Sequence, residues 1–251
     1  MIQNQCLLPL LHHFSTSLSI VICELPCAPY GKHYSDGWGP TMPASVAWFL
    51  FESPTLWLTI YLFPTGEHAA DPKRFVLLLP FLVHYIHRTC VYPFRLHKKK
   101  NLCWVPVIIV VLAFSFSILN SYIQIREISH FKNYDDDNWF WFRIIFGLLL
   151  FLWGMRINIC ADLVLIGLKK ANDDYKIPRG GWFELVSCPN YFGEIVEWLG
   201  WAVMTWSPVS LGFVFFSCAN LVPRARDTHE WYLQKFKHYP KRRKAIIPYL
   251  L

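Results

Sequence analysis

Charged and phenolic side chains recur at helical spacing inside segments of this sequence that are otherwise apolar. One such set contains Tyr85, Arg88, Tyr92 and Arg95, whose intervals of three and four residues place them on one face of a helix. A charged side chain inside a bilayer is energetically costly, so it indicates a functional site unless it merely pairs two helices. Pairing alone would explain a single residue of this kind, but it explains an aligned set poorly.

A second aligned set contains Asn158, Asp162 and Lys169, at intervals of four and seven residues. In a helix, which rises 1.5 Å per residue, Asn158 would lie ~16 Å inside Lys169. Tyr85 would lie about equally deep in its own helix, and Glu52 lies near the middle of another apolar segment. The pattern predicts a polar cleft that is basic at its mouth and holds an acid and a phenol at its inner end.

This arrangement suits an anionic cofactor that enters from water and an apolar carbonyl compound that enters from lipid. Burial favours the neutral form of the Glu52 carboxyl, which can then donate a hydrogen bond beside the Tyr85 hydroxyl. Two such donors would stabilise an enolate oxygen, and electrostatic stabilisation of this kind is often the largest contribution to catalysis. At the mouth, the phosphates of a nucleotide are expected to bind Lys99, Lys169 and Arg179.

The common nucleotide and hydrolase motifs are absent from the sequence. It contains neither G-x-G-x-x-G nor G-x-x-x-x-G-K-[ST], and neither H-E-x-x-H nor G-x-S-x-G. A nucleotide site must therefore be built from helices and loops. The eight cysteines form no C-x-x-C pair, and His87 is interpreted as a hydrogen-bonding core residue and not, with His84, as a metal ligand. No metal site is predicted.

The composition indicates an integral membrane protein. Of the 251 residues, 54% are hydrophobic and only 16% are charged, whereas a soluble domain carries about 25% charged residues. A soluble protein with one large core would need a polar surface that this chain lacks. The net charge of +7 comes from basic residues that flank apolar segments, so it does not indicate nucleic-acid binding.

The predicted fold is all-α, with about seven transmembrane helices in a single membrane-embedded domain over residues 1–251. Most of the segments reach the ~20 residues that a bilayer requires, and the last two are short enough to be tilted or partly re-entrant. The first has no basic residue before it, so it is interpreted as a retained helix and not a cleaved signal peptide. The predicted spans are 6–25, 43–63, 75–94, 104–124, 139–168, 195–205 and 208–222.

The distribution of basic residues predicts the orientation. With seven spans, 17 of the 24 Lys and Arg residues fall on the side of the C-terminal tail and four on the other, beside the acidic run 135–137. Because positive residues accumulate on the cytosolic side, the N-terminus is expected in the lumen and the C-terminus in the cytosol. The run 241–244 could also bind anionic lipid headgroups.

Several stretches, in order along nearly the whole chain, resemble the steroid 5α-reductase family, and within it the plant enzymes of brassinosteroid synthesis most closely. The stretch at 190–194 recurs in other membrane reductases and methyltransferases, so by itself it is only moderately specific, whereas the complete set is highly specific. The matching stretches are APYGKH at 28–33, AWFLFESP at 47–54, HYIHRT at 84–89, INICAD at 157–162, YKIPRGG at 175–181, NYFGEIVEW at 190–198 and YPKRRKAIIP at 239–248.

The resemblance implies a multi-pass reductase of the endoplasmic reticulum membrane. Such an enzyme uses NADPH to reduce the Δ4 double bond of a 3-oxo steroid taken from the bilayer, with Glu52 and Tyr85 polarising the 3-oxo group. The nucleotide site would be formed mainly by 150–251. By position, the nucleotide would bind to Tyr30, Arg88, Tyr92, Asn158, Asp162, Asn190, Glu194, Arg224 and Tyr232.

Three positions depart from the animal members of the family. Phe51 stands where they carry Gln, which removes a polar contact to the 3-oxo group, and together with Trp48 it is expected to contact the substrate. Lys99 and Lys169 stand where they carry Arg, which keeps the charge but loses the bidentate fork. Two alternatives remain: another membrane lipid enzyme, such as an enoyl-CoA or polyprenol reductase or a methyltransferase, and a non-catalytic scaffold.

Overall fold

The computed structural model describes residues 31–98, 103–135, 137–168 and 175–251. The predicted first span at 6–25 lies outside these ranges, as do the predicted site residues Tyr30, Lys99 and Lys169.

The described part of the chain is predominantly helical. A short antiparallel ribbon, β1 (Thr41–Pro43) paired with β2 (Trp104–Pro106), precedes two of the long helices. Short 3₁₀ segments lie at Gly31–His33, Phe63–Thr65 and Gly181–Glu184. The α-helices are α1 (Ala44–Leu62), α2 (Pro72–Ile86), α3 (Tyr92–Lys98), α4 (Val107–Arg126), α5 (Phe140–Leu168), α6 (Pro189–Thr205) and α7 (Pro208–Lys235).

Local sequence accounts for where several helices begin and end. Proline occupies the first turn of α2, α6 and α7, where its missing N–H costs no hydrogen bond. Asp71 caps α2 by accepting from the Lys73 backbone N–H at 2.9 Å, and Ser207 caps α7 by accepting from Val209 N–H at 3.1 Å. Trp206, in the left-handed conformation with φ of 48°, ends α6 and turns the chain into α7.

A π-helical turn at His87–Val91 joins α2 to α3 and carries Arg88. Pro93 has no N–H to donate four residues back, and the N–H of Tyr92 bonds to the carbonyl of His87, five residues back. Such bulges are frequent at functional sites. The turn interrupts the regular face predicted for residues 85–95, and the Arg95 guanidinium lies 3.5 Å from Nε2 of the half-buried His87.

The helices pack around an aromatic core that includes Phe81, Phe151, Trp198, Trp201 and Phe213. In this packing, α5 lies along α6, α1 along α4, and α6 beside α7. The α5–α6 contact brings the second predicted polar set next to residues of α6.

Four continuous helices in the described ranges are long and apolar enough to cross a membrane: Ala44–Thr65, Pro72–Lys98, Val107–Phe131 and Phe140–Leu168. They coincide with the second to fifth predicted spans. Residue 104, however, belongs to β2, and the helix at the fourth span continues beyond residue 124. The predicted sixth and seventh spans, 195–205 and 208–222, lie within α6 and α7, which are not among these four. The chain is therefore a helical, multi-pass membrane protein.

Candidate active site

The buried guanidinium of Arg88 lies at the centre of the site and faces three carboxyl groups from three helices. Its Nε is 3.6 Å from Oε1 of Glu52 on α1 and its Nη1 is 3.5 Å from Oδ2 of Asp162 on α5. Its Nη2 is 4.0 Å from Oε2 of Glu194 on α6. These contacts bring together four of the residues predicted from the sequence.

Two aromatic rings flank the same guanidinium. Its central carbon lies 4.2 Å from the ring centre of Trp48 and 5.1 Å from that of Tyr92. Trp48 in turn packs edge-on against Tyr92 and lies 4.8 Å from the ring of Phe51. The flat, delocalised guanidinium suits such stacking, which holds it in one plane. Trp48, predicted as a substrate contact, thus also supports Arg88.

Among the described residues around Arg88, carboxyl groups outnumber cations. The carboxyl groups of Glu52, Asp162 and Glu194 all lie within 4.0 Å of the one Arg88 guanidinium. Three charged carboxylates around one buried cation would repel each other, so charge balance favours a proton on one of the three. Among the described residues, the buried Nε of Arg88 also finds no acceptor with hydrogen-bond geometry. One of the three carboxyl groups can therefore hold a proton, and the Nε–H of Arg88 can donate a hydrogen bond to a bound ligand.

Amide and carboxyl groups of α5 and α6 interlock beside Arg88. Nδ2 of Asn158 donates to the Asn190 carbonyl at 3.0 Å and lies 3.4 Å from Oε2 of Glu194. Nδ2 of Asn190 donates to Oδ1 of Asp162 at 3.2 Å. The predicted spacing of four residues on each helix therefore forms one polar surface with both donors and acceptors.

Glycines allow the two helices to approach closely enough for these contacts. A Cβ built at Gly154 would lie 2.4 Å from the Glu197 backbone nitrogen, and one at Gly193 would lie 2.6 Å from the Asn158 backbone nitrogen. One heptad along, Gly147 and Gly200 make the same kind of contact. Because backbone cannot yield as a flexible side chain does, only glycine fits at these positions.

Tyr85, on α2, is buried in an aromatic wall. Its ring lies 4.7 Å from that of Phe81 and 5.8 Å from that of Trp198. Asn120 of α4 and Glu52 of α1 are both neighbours of its hydroxyl. The predicted acid and phenol thus belong to one region, and Asn120 is a neighbour that the sequence analysis did not identify.

A second residue pair was also missed. Nδ1 of His84 lies 2.7 Å from Oε1 of Glu197, and both side chains are buried. Glu197 follows Glu194 by one helical turn, which is the sequence signal that could have revealed it. The spacing of His84 and His87 in the sequence points to no role for His84 other than that of a metal ligand. Within the described ranges, no three His, Cys, Asp or Glu side chains are grouped as metal ligands would be.

Arg224 and Tyr232 belong to a different cluster, at the beginning of α6. Nε of the buried Arg224 donates to the hydroxyl of Tyr191 at 3.0 Å, next to Asn190 in the chain. Tyr232 stacks on Tyr239 with ring centres 5.1 Å apart, and Nζ of Lys32 lies 4.4 Å from its ring centre.

His33 completes this cluster without adding charge. Its Nε2 lies 3.1 Å from the Thr228 hydroxyl, and burial, followed by the nearby Arg224 and Lys32, lowers the pKa of His33 to about 4. His33 is therefore neutral at pH 7, and Lys32 and Arg224 supply the positive charge. A positive, aromatic cluster of this kind suits an anionic, planar ligand group.

Arg179 is exposed and is not brought into either cluster. It lies near Glu184, whose pKa is lowered by a hydrogen bond from the Gly180 N–H and by the nearby Arg243 and Arg179. The Arg243 guanidinium donates to the Pro178 carbonyl at 2.9 Å and ties this segment to the C-terminal tail. The predicted binding of phosphate by Arg179 stays a prediction.

The donor set fits a nicotinamide nucleotide. The ribose hydroxyls and the carboxamide need both donors and acceptors, and Asn158, Asn190, Asp162 and Glu194 supply both. The cluster of Arg224 and Lys32 offers the cations that phosphates require. The two clusters are linked along α6 by the consecutive residues Asn190 and Tyr191.

Comparisons with known proteins give a consistent result. The sequence model described as 3-oxo-5-alpha-steroid 4-dehydrogenase matches residues 104–251. The chain is 54% identical to steroid 5-alpha-reductase DET2 of Arabidopsis thaliana, over 98% of this chain and 95% of that protein. It is 58% identical to the DET2 reductase of Gossypium hirsutum over 89% of this chain and 88% of that protein.

An animal relative is more distant but is matched over almost the same length. The chain is 42% identical to 3-oxo-5-alpha-steroid 4-dehydrogenase 1 of Homo sapiens, over 93% of this chain and 94% of that protein. Identity at this level over nearly full length confirms the resemblance drawn from the sequence motifs. The chain belongs to the 3-oxo-5-alpha-steroid 4-dehydrogenase family, the steroid 5-alpha-reductases.

Proposed function

We propose that this protein uses NADPH to reduce the Δ4 double bond of a 3-oxo-Δ4 steroid, giving the 5α-3-oxosteroid. The observation that carries the proposal is the contact of Arg88 with Glu52 on one side and with Asp162 and Glu194 on the other. The chain belongs to a family of oxidoreductases, and its relatives are named steroid 5-alpha-reductases. Through Arg88, Glu52, which can donate a hydrogen bond to a carbonyl, is next to Asp162 and Glu194, which can bind the hydroxyl groups of a nucleotide.

Glu52 and Tyr85 are proposed to polarise the 3-oxo group of the steroid. NADPH, when bound, supplies the hydride that reaches C5. A hydrogen bond from the neutral Glu52 carboxyl and one from the Tyr85 hydroxyl would draw electrons toward the 3-oxo oxygen, making C5 electrophilic and stabilising the enolate. A proton from solvent water then adds at C4, so that the reaction consumes one NADPH and one proton. The aromatic wall around Tyr85 excludes water, which strengthens both interactions.

The nucleotide is proposed to bind along α5 and α6, mainly within residues 150–251. Asn158 and Glu194 would hold the nicotinamide end near Arg88, and the cluster of Arg224 would hold an anionic part of the same molecule. Phe51 and Trp48 would contact the steroid. The remaining residues of the proposed nucleotide site are Tyr30, Arg88, Tyr92, Lys99, Asp162, Lys169, Arg179, Asn190 and Tyr232.

The proposed topology has seven spans, a lumenal N-terminus and a cytosolic C-terminus in the endoplasmic reticulum membrane. Contacts between loops support it. Lys32 lies against Tyr232, so two segments assigned to the cytosolic side meet. Lys132 donates to the Trp206 carbonyl at 3.1 Å, so two segments assigned to the lumenal side meet as well. We propose one membrane-embedded domain over 1–251, with membrane lipid and the steroid as partners and without metal or nucleic acid.

In a plant this reaction would serve brassinosteroid synthesis, in keeping with the names of the plant relatives. The test is to incubate the purified protein in lipid nanodiscs with NADPH and a panel of 3-oxo-Δ4 sterols that differ in side chain. Mass spectrometry should detect a product two mass units heavier that co-elutes with the authentic 5α standard and not with its 5β epimer. Enoyl-CoA and polyprenol substrates form the second arm, and turnover in that arm alone would refute the steroid assignment in favour of another lipid reductase.

A further inference from the structure

The pair formed by His84 and Glu197 has no part in the chemistry proposed above. Nδ1 of His84 lies 2.7 Å from Oε1 of Glu197, and the side chains are 5% and 0% exposed. The pair joins α2 to α6 across 113 positions of sequence. Two ionisable groups in contact at full burial therefore connect helices that carry different parts of the site.

Stability alone explains this pair poorly. Burying a histidine and a carboxyl group costs desolvation free energy, and well-packed apolar residues of similar volume often stabilise a protein as well or better. Moreover, among the described residues Oε2 of Glu197 has no hydrogen-bond partner, so part of that cost is not offset. A pair that is energetically costly points to a geometric role.

The neighbours of the pair indicate what that role is. The His84 ring lies 5.0 Å from the ring of Tyr85, its neighbour in the chain, and 4.5 Å from the ring of Trp198. Glu197 lies one turn beyond Glu194, on the helix packed through Gly154 against α5. The pair thus joins the helix that carries the phenol to the helix that carries the nucleotide-binding carboxyl.

We propose that His84 and Glu197 form a positioning pair that fixes the separation between Tyr85 and Glu194, and with it the distance from the polarised steroid to the hydride donor. The inference rests on the proposed function and adds to it two residues that contact neither reactant. Because a displacement of about 1 Å can cost 100-fold in rate, a single hydrogen bond between the two helices can control turnover.

The decisive variant replaces both partners by apolar residues, His84→Phe with Glu197→Leu. Removing both partners leaves no uncompensated buried charge, so the protein should fold and its melting temperature should stay close to that of the wild type. The expected kcat falls on the order of 100-fold. The NADPH Kd and the steroid KM should stay within about threefold, since neither residue contacts a ligand.

A rescue variant separates geometry from proton transfer. Glu197→Gln keeps a side chain that can hydrogen-bond with His84 but cannot ionise, so kcat should return to within about fivefold of the wild-type value. With NADPH deuterated at the transferred position, the isotope effect on kcat of the double variant should be larger than that of the wild type, because hydride transfer has become slower relative to product release.

The matched control is Glu127→Leu, which removes another buried carboxyl whose partner is the Ser207 hydroxyl at 2.6 Å. It should lower the melting temperature and leave kcat per folded molecule unchanged. A folded double variant with wild-type kcat would overturn the inference, and so would a Gln variant as slow as the double variant. Absence of steroid turnover by the wild type would instead refute the proposed function, and the positioning role with it.

Discussion

The Arg88 guanidinium lies 3.6 Å from the Glu52 carboxyl group, and both side chains are largely buried. The same guanidinium also faces Asp162 and Glu194, the carboxyl groups proposed to hold the nucleotide. The acid that would polarise the substrate and the groups that would hold the cofactor therefore form one electrostatic unit.

Arg88→Lys should weaken NADPH binding roughly tenfold, although it keeps the charge. Lysine has no planar fork to reach three carboxyl groups and no flat surface to stack on Trp48 and Tyr92, and such stacking is worth about 0.5–2 kcal/mol. Fluorescence titration of NADPH on the detergent-purified variant measures the effect. Arg156→Lys, at an exposed position of α5, is the control and should bind as the wild type does.

Glu52→Gln and Tyr85→Phe should each lower kcat by roughly 10²–10³, since each removes or weakens one donor to the enolate oxygen. NADPH should still bind, because neither residue is assigned to the nucleotide. Single-turnover kinetics with saturating NADPH, together with a binding titration, measures the two quantities separately. Near-normal turnover in both variants would refute the roles assigned to these residues.

Glu194→Lys should weaken NADPH binding far more than steroid binding. The change removes an acceptor for Asn158 and adds a second cation beside Arg88 in a confined site. Titrations of both ligands on the folded, monodisperse variant test this. Glu67→Lys makes the same charge change at an exposed position and should leave NADPH affinity unaltered. A folded Glu194→Lys protein with normal NADPH affinity would show that the nucleotide site is misplaced.

Gly154→Ala should destabilise the protein by about 1–3 kcal/mol and also reduce NADPH affinity. The new Cβ would lie 2.4 Å from the Glu197 backbone nitrogen and 2.5 Å from the Gly193 carbonyl oxygen, so α5 and α6 must separate. Gly167→Ala on the same helix is the control, because a Cβ there meets nothing within 4 Å. Melting curves in detergent compare the two, and equal stability would contradict the close-packing explanation.

The proposed orientation predicts how tags respond to protease. A tag after Leu251 should be digested by protease added to sealed microsomes, whereas a tag before Met1 should be protected until detergent opens the membrane. The reason is the excess of basic residues on the side of the tail. The reverse pattern would place the mouth of the cleft in the lumen and would exclude cytosolic NADPH as the cofactor source.

The sequence by itself indicated the membrane class, the four long apolar helices and most of the residues that meet around Arg88. These features depend on local properties: the length of an apolar segment, and the cost of leaving a residue such as Arg88, Asp162 or Glu52 in lipid. Because of that cost, polar residues inside apolar segments are rare and can be recognised in a single sequence. The spacing of four residues between Asn158 and Asp162, and between Asn190 and Glu194, likewise predicted that each pair lies on one face of its helix.

Only the tertiary structure decided which of these groups meet. The contact of Glu197 with His84, and the position of Asn120 near Tyr85, depend on how helices pack and not on spacing within either helix. Glu197 by itself is one more acid in an apolar helix, and nothing local assigns it a partner 113 positions away. The approach of α5 and α6 through Gly154 and Gly193 sets these distances, because packing free energy depends on the surfaces of both helices together.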